Sequence, residues 1–267
     1  MNRLRRALVA SAGLVLLATG ATAATATTNS PATIDKHPKP TIVLIHGAFA
    51  DGSSWNKVTE KLQRDGYQVV VPANPLRGPG SDSSYLAGVL AGIPGPKVLV
   101  GHSYGGAIIT QLASAPDVKA LVYVAAFVPQ AGETVGELNA KFPGSEINAD
   151  TTNTITYAGG ADLVMRPEAF RTVFAADLPR SEQSVLGASQ RPIAAAAFTE
   201  PIARSAPAAL PKYAIVPSGD KAIAPAGELW MAQRAGARIV KVEGASHLVM
   251  ISHPGTTTKL IEKAATR

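Results

Sequence analysis

Gly101-His102-Ser103-Tyr104-Gly105 places a serine hydroxyl in a G-x-S-x-G turn. A hydroxyl is a weak nucleophile until an adjacent base takes its proton and an acid orients that base. On a sheet of parallel strands those partners follow the serine in the order acid, then histidine. Only two histidines lie downstream, His247 and His253. His247 ends Glu243-Gly244-Ala245-Ser246-His247, directly after the apolar run Arg238 to Val242, and is the expected general base. His253 precedes Pro254 and is expected to open the last helix. For the acid, Ser218-Gly219-Asp220 turns out of Tyr213 to Pro217, which makes Asp220 the candidate to hold the imidazolium of His247. Asp162 and Asp177 fall in an irregular stretch and Asp117 stands before a strand, so these three are read as solvated carboxylates.

The elements around these residues must deliver them to one edge of a sheet. Lys97 to Val100 is short and apolar like a buried strand, and Gly106 to Ala115 is helix-like, with Ile108, Ile109 and Leu112 on one side. A strand, a tight glycine-flanked turn and a helix form a nucleophile elbow. Residues without a Cβ relieve the clash in so sharp a turn, and the positive end of the helix faces the developing charge. Further strand signals run over Thr41 to Ile45, Tyr67 to Val71, Ala120 to Ala125, Tyr213 to Pro217 and Arg238 to Val242. Helical stretches intervene at Trp55 to Arg64, Ser84 to Ala91, Ala226 to Ala235 and Thr256 to Ala265. Such alternation predicts an α/β fold, a mostly parallel sheet with helices on both faces.

Acyl chemistry also needs two backbone N–H groups aimed at the tetrahedral oxygen. One is expected from Tyr104, the residue after the nucleophile. The other is expected from the loop after the first strand, His46-Gly47-Ala48-Phe49, with Ala48 the first choice. Phe49 is the second choice and otherwise a substrate contact. His46 lies on the wrong side of the nucleophile in chain order, so it and His102 are read as packed structural histidines.

Together these segments resemble the α/β-hydrolase superfamily, and most closely its small cofactor-free serine esterases, including the plant methylesterase and hydroxynitrile lyase branch. The likeness rests on H-G-A-F-A-D-G-S-S-W at 46–55, G-H-S-Y-G-G at 101–106, S-G-D-K at 218–221 and V-E-G-A-S-H at 242–247. It implies a Ser103, Asp220 and His247 triad with an Ala48 and Tyr104 oxyanion hole. The plant lyases carry a threonine where this chain has Gly47 and a lysine where it has Leu248. Without that positive charge for departing cyanide, cyanohydrin cleavage is not expected. The elbow serine also excludes a haloalkane dehalogenase, which needs an aspartate there. From Phe127 to Leu210 no strand alternation stands out, although Glu168 to Ala176 and Ser181 to Gln190 look like short helices. The resemblance makes this stretch, about 128–210, an inserted cap over the active site. Phe127, Phe142, Tyr157, Met165, Phe170, Phe174 and Phe198 are its candidate pocket walls.

The start of the chain reads differently. Arg3, Arg5 and Arg6 precede the apolar run Ala7 to Leu17, and small residues with an A-x-A pattern follow. That is the form of a secretory signal over residues 1–26, and the run is too short to span a membrane. Cleavage after Ala23 is expected, with Ala26 the alternative, and a flexible leader over 27–39 joins it to one domain at 40–267. The expected location is secreted or periplasmic, without stable membrane insertion after signal removal. Loss of those three arginines lowers the formal charge from +6 to +3. The remaining basic residues are scattered, which argues against nucleic acid as a partner. The chain has no cysteine, which excludes disulfides, thiolate metal sites and cysteine nucleophiles. No metal and no organic cofactor is expected.

The expected activity is hydrolysis of a small-molecule carboxylic ester through an acyl-enzyme on Ser103. Perhydrolysis or carbon–carbon cleavage on the same elbow is the alternative chemistry, and a ligand-binding protein on the same fold the alternative without chemistry. The sequence leaves the oligomeric state open. Intact-mass measurement of exported protein should give a chain beginning at or near Ala24; a chain retaining Met1 in a membrane fraction would refute the signal.

Overall fold

The computed structural model describes residues 39–266, so the signal, its cleavage sites and nearly all of the leader lie outside the described residues. In chain order the elements are β1 (Thr41–Ile45), α1 (Asn56–Arg64), β2 (Val69–Val70), α2 (Pro79–Ala91), β3 (Lys97–Ser103), α3 (Tyr104–Leu112), β4 (Val118–Ala126) and α4 (Val135–Ala140). Then follow β5 (Thr152–Tyr157), β6 (Gly160–Met165), α5 (Pro167–Ala169), α6 (Arg180–Ala188) and β7 (Ile193–Ala194). The chain closes with β8 (Lys212–Pro217), α7 (Pro225–Arg234), β9 (Arg238–Val242), α8 (Val249–Ser252) and α9 (Pro254–Ala265).

Six strands form one sheet in the order β2-β1-β3-β4-β8-β9, every neighbouring pair parallel. Successive side chains of a strand point to opposite faces, yet every residue of β1, β3 and β8 is buried. Both faces are therefore covered, as the near-continuous apolar runs of the sequence require. α3 packs on β1, β3 and β4, and α9 packs on β3, β4 and β8. The chain leaves β1 outward to β2 and then crosses back to β3, so the order reverses between β1 and β3. Their carboxyl ends flank the crevice where open parallel sheets place ligands.

The stretch that follows β4 departs from the sequence reading. It holds a three-stranded antiparallel sheet, β5-β6-β7, where no strand alternation was evident. β5 is Thr-Asn-Thr-Ile-Thr-Tyr with five of its six residues exposed, so no buried face imposes a period-two pattern. Tyr157 pairs with Gly160 across a two-residue turn in which Gly159 takes φ 92°. The expected helix over 168–176 is one turn of α5 followed by a π-helical segment, Phe170–Phe174. Elsewhere β2 is shorter than expected and α2 begins at Pro79, five residues before the predicted start.

Close backbone approach explains several elbow glycines. A Cβ on Gly105 would lie 2.5 Å from the Ile45 carbonyl oxygen, and one on Gly101 2.4 Å from that of Gly105. Gly88, by contrast, is exposed on α2 and a Cβ there would touch nothing. Gly105→Ala should lower stability by about 1–3 kcal/mol through overpacking. Gly88→Ala should raise it by about 0.5–1 kcal/mol through helix entropy. Urea midpoints of the two variants check the pair, and the reading fails if both move the same way.

Candidate active site

Ser103 ends β3 and takes φ 54° and ψ −123°, a conformation L residues avoid. The strand register shifts between His102 and Ser103, and α3 begins at the next residue. The Tyr104 amide is thus among the first N–H groups of a helix, which have no intrahelical acceptor. Its ring is fixed from behind, the phenol donating to Asp82 Oδ2 at 2.8 Å, and burial raises its pKa strongly. Across the crevice, Ala48 follows Gly47, whose missing Cβ would stand 2.6 Å from Ser103 Cβ. A threonine of the lyase kind does not fit that position. Phe49 takes φ 57° and turns its ring edge-on to Phe174, centroids 6.0 Å apart.

Asp220 and His247 meet because two turns at the sheet edge are bound together. Ser218 N–H donates to Val242 O and Gly219 N–H to Ala245 O, each at 3.0 Å. A side chain on Gly219 would collide with the Ala245 carbonyl at 2.9 Å. His247 Nδ1 and Asp220 Oδ2 are then 2.5 Å apart, both side chains fully buried. Asp220 Oδ1 accepts the amides of Ala222 and Ile223 at 2.7 and 3.0 Å. With Nδ1–H donated to Asp220, Nε2 carries the lone pair, and among the described residues it has no hydrogen-bond partner.

Two rings hold the imidazole. Phe174 and His102 each lie 4.6 Å from it, centroid to centroid, and His102 Nε2 donates to the His247 carbonyl at 3.1 Å. The Phe174 carbonyl accepts from Leu248 N–H at 3.2 Å and Ser246 Oγ at 3.3 Å, and Ser246 also donates to Asp177. Asp177 therefore braces the histidine loop while staying exposed, as expected. Asp162 is corrected: it pairs with Arg77 Nη1 at 2.8 Å and accepts Tyr157 OH at 2.9 Å, which lowers its pKa. The irregular look of the sequence hid both partners, 85 and 69 residues away. Asp117 is exposed as expected, and His253 stands at the start of α9 without a side-chain capping bond.

Ala48, Phe49, Ser103 and Tyr104 line one narrow cavity of about 20 Å³, with Phe127, Phe174 and Phe198 among its walls. An outer cavity of about 560 Å³ shares Asn139, Ile147 and Phe198 with it and adds Phe142 and Leu163. No lining residue of either carries a charge. Of the other candidate walls, Tyr157 is exposed, while Met165 and Phe170 are core. Sequence reasoning missed Glu228 of α7, fully buried and within 4.8 Å of the acid and the histidine. The signal was its helical spacing from the apolar Met231 and Ala232, which share its buried stripe.

His46 and His102 are buried and uncharged. His46 Nε2 accepts the Asn74 amide at 3.0 Å, leaving the Nδ1 proton for the Gly47 carbonyl. Burial lowers the pKa of His46, and burial together with His247 pushes His102 further down. Unfolded, both imidazoles charge below about pH 6.5. The unfolded state then binds more protons, so stability falls as pH drops through that value. Each adds a slope of up to about 1.4 kcal/mol per pH unit between that value and its own lowered folded pKa. Urea midpoints of the parent should fall from neutral pH toward acid more steeply than those of His102→Gln; parallel curves would refute a neutral buried His102.

The model of the alpha/beta hydrolase family matches residues 42–259. The carbendazim hydrolyzing esterase of Nocardioides sp. is 33% identical over 121 residues, 40% of this chain and 50% of that protein. The pyrethroid hydrolase of Sphingobium wenxiniae is 36% identical over 107 residues, 35% of this chain and 38% of that one. The matched stretch thus spans half or less of these two relatives. Among solved structures, polyneuridine aldehyde esterase superposes with a TM-score of 0.71 at 20% identity, over 84% of this chain and 98% of that one. A pyrethroid hydrolase from Sphingobium faniae superposes at 0.68 with 23% identity, over 85% and 97%. The family match covers most of the described fold, both loops at the crevice and the Asp220 and His247 turns, and on that ground the chain belongs to the alpha/beta hydrolase family.

Proposed function

We propose that this protein hydrolyses uncharged carboxylic esters through an acyl-enzyme on Ser103. The observation that carries the reading is the buried 2.5 Å contact of His247 with Asp220 beside a serine held at φ 54°. His247 Nε2 takes the Ser103 proton as Oγ attacks the carbonyl carbon, and the Ala48 and Tyr104 amides hold the oxyanion. The same imidazole, held by Asp220, then gives its proton to the leaving alcohol. Water attacks the acyl-enzyme by the reverse use of the same groups. Ser103 and Nε2 are not hydrogen-bonded in the free protein, a looseness that substrate binding commonly removes.

The uncharged lining favours a neutral ester over an anionic or cationic one. The small inner cavity suits the reacting carbonyl, and the outer one the larger group beneath the cap. Two relatives named as an esterase and a hydrolase point the same way. The secretory signal read at residues 1–26 supports a place of action after export.

Turnover of p-nitrophenyl acetate and butyrate tests the assignment. Ser103→Ala and His247→Ala should each abolish it, and their losses should not add, since the two act as one unit. Asp220→Asn should cost about 10⁴ in kcat by presenting the wrong tautomer. His253→Ala should retain activity. Parent-level turnover by a folded Ser103→Ala would sink the mechanism. Mandelonitrile should release cyanide no faster than with heat-killed protein, because Gly47 and the buried Leu248 supply no hydroxyl or cation for it.

A further inference from the structure

Behind the acid lies a second carboxyl group that the mechanism does not use. Glu228, in the first turns of α7, is 1% exposed, and among the described residues neither of its oxygens has a hydrogen-bond donor. Its carboxyl, an Asp220 oxygen and a His247 nitrogen lie within 4.8 Å of one another. Two adjacent buried carboxylates cannot both be ionised without a large electrostatic cost. The surroundings decide which one holds the proton. Asp220 receives three donors, the Ala222 and Ile223 amides and His247 Nδ1–H, and each favours the charged form. Glu228 receives none.

We propose that Glu228 is a neutral carboxylic acid that donates its proton in a hydrogen bond to the Asp220 carboxylate, making it a positioning residue for the Asp220–His247 pair. This rests on the function proposed above only for its catalytic consequence. The bond gives Asp220 a fourth donor, holds its plane against Nδ1–H and draws part of its charge away from the imidazole. Nε2 of His247 is thereby held in place to accept the Ser103 proton.

Two titratable groups stand beside the Glu228 carboxyl, and the charged residues of the neighbouring elements have partners of their own. The turn after β8 presents Asp220, and the loop after β9 presents His247. From the α4 side Phe142 packs at Gly227 and Trp230, and Lys141 sits over the Trp230 ring. From the loop after β4, Glu133 pairs with Arg234 at 2.5 Å. Lys221, next to Asp220, pairs with exposed Glu146. Burial first, and then the Asp220 charge, raise the Glu228 pKa well above the usual carboxylate range.

Parent, Glu228→Gln and Glu228→Leu decide the matter in three readouts. The first needs no activity. A glutamic acid neutral when folded and ionised when unfolded loses stability as pH rises above about 4.5, whereas glutamine has no proton to lose. The urea midpoint of Glu228→Gln should therefore gain on the parent steadily from about pH 5 to 8. A difference constant with pH would overturn the neutral acid. The second is infrared: the parent should show a protonated-carboxyl C=O stretch at neutral pH that is missing from Glu228→Gln, and its absence from the parent would also overturn the proposal. The third is the pH profile of kcat/KM on p-nitrophenyl butyrate. Glutamine still donates, so Glu228→Gln should stay within a few-fold of the parent with its acid limb in place. Glu228→Leu should lose about ten- to hundredfold, the worth of a hydrogen bond to a charged group, with the acid limb moved to higher pH. An unmoved limb in Glu228→Leu, or equal losses in both variants, would reduce Glu228 to packing. If Ser103→Ala retains activity, the mechanism falls while the first two readouts still judge the proton.

Discussion

The close approach of two loops at the carboxyl ends of β1 and β3 is the constraint on which the rest of this site depends. The strained turn at Ser103 can exist only because its neighbours lack side chains: Gly47 from one loop and Gly101, Gly105 and Gly106 from the other meet backbone or Cβ atoms within 3 Å of where a Cβ would stand. That contact brings Ala48 and Tyr104 to one cavity with Ser103. Two contacts from neighbouring elements hold the arrangement. Phe127 N–H takes the Ser103 carbonyl at 3.2 Å, and Asp82 holds the Tyr104 ring.

The segment between β4 and β8 is fastened to this frame at two kinds of joint. One is backbone at the site itself, where the Phe174 carbonyl receives the histidine loop and its ring packs on His247, His102 and Phe49. The other is polar and outlying: Arg77 reaches Asp162, Tyr157 and the Pro192 carbonyl, and Lys57 pairs with Glu182. The exposed ion pairs contribute little stability in water. The buried joint therefore fixes the pocket wall at Phe174.

Burial without charge is the electrostatic theme around the acid. His46 and His102 are kept neutral by desolvation, and Tyr104 and Tyr123 keep their protons for the same reason. In a medium this dry a single ionised carboxylate is tolerable when three donors surround it. Asp220 meets that condition, and Glu228 beside it does not.

Local chemistry alone determined much of this molecule. The G-x-S-x-G turn between an apolar strand and a helix, Asp220 after one strand and His247 after the next are signals within a few residues, because turn sterics and strand burial act at short range. Chain order did the rest, since a parallel sheet brings every strand's carboxyl end to the same edge. Tertiary structure alone decided what depends on partners far along the chain. β5 carries no alternation because it buries no face, so only its pairing with β6 reveals it. Asp162 reads as a freely solvated acid until Arg77 arrives from another element, and the Ser246 donor of exposed Asp177 lies 69 residues along the chain. Glu228 reads as an ordinary acid in the first turns of a helix, where it would suit the dipole. Only the rotation at which α7 settles on β8 and β9 turns it inward against Asp220, and that rotation is set by packing no single segment contains.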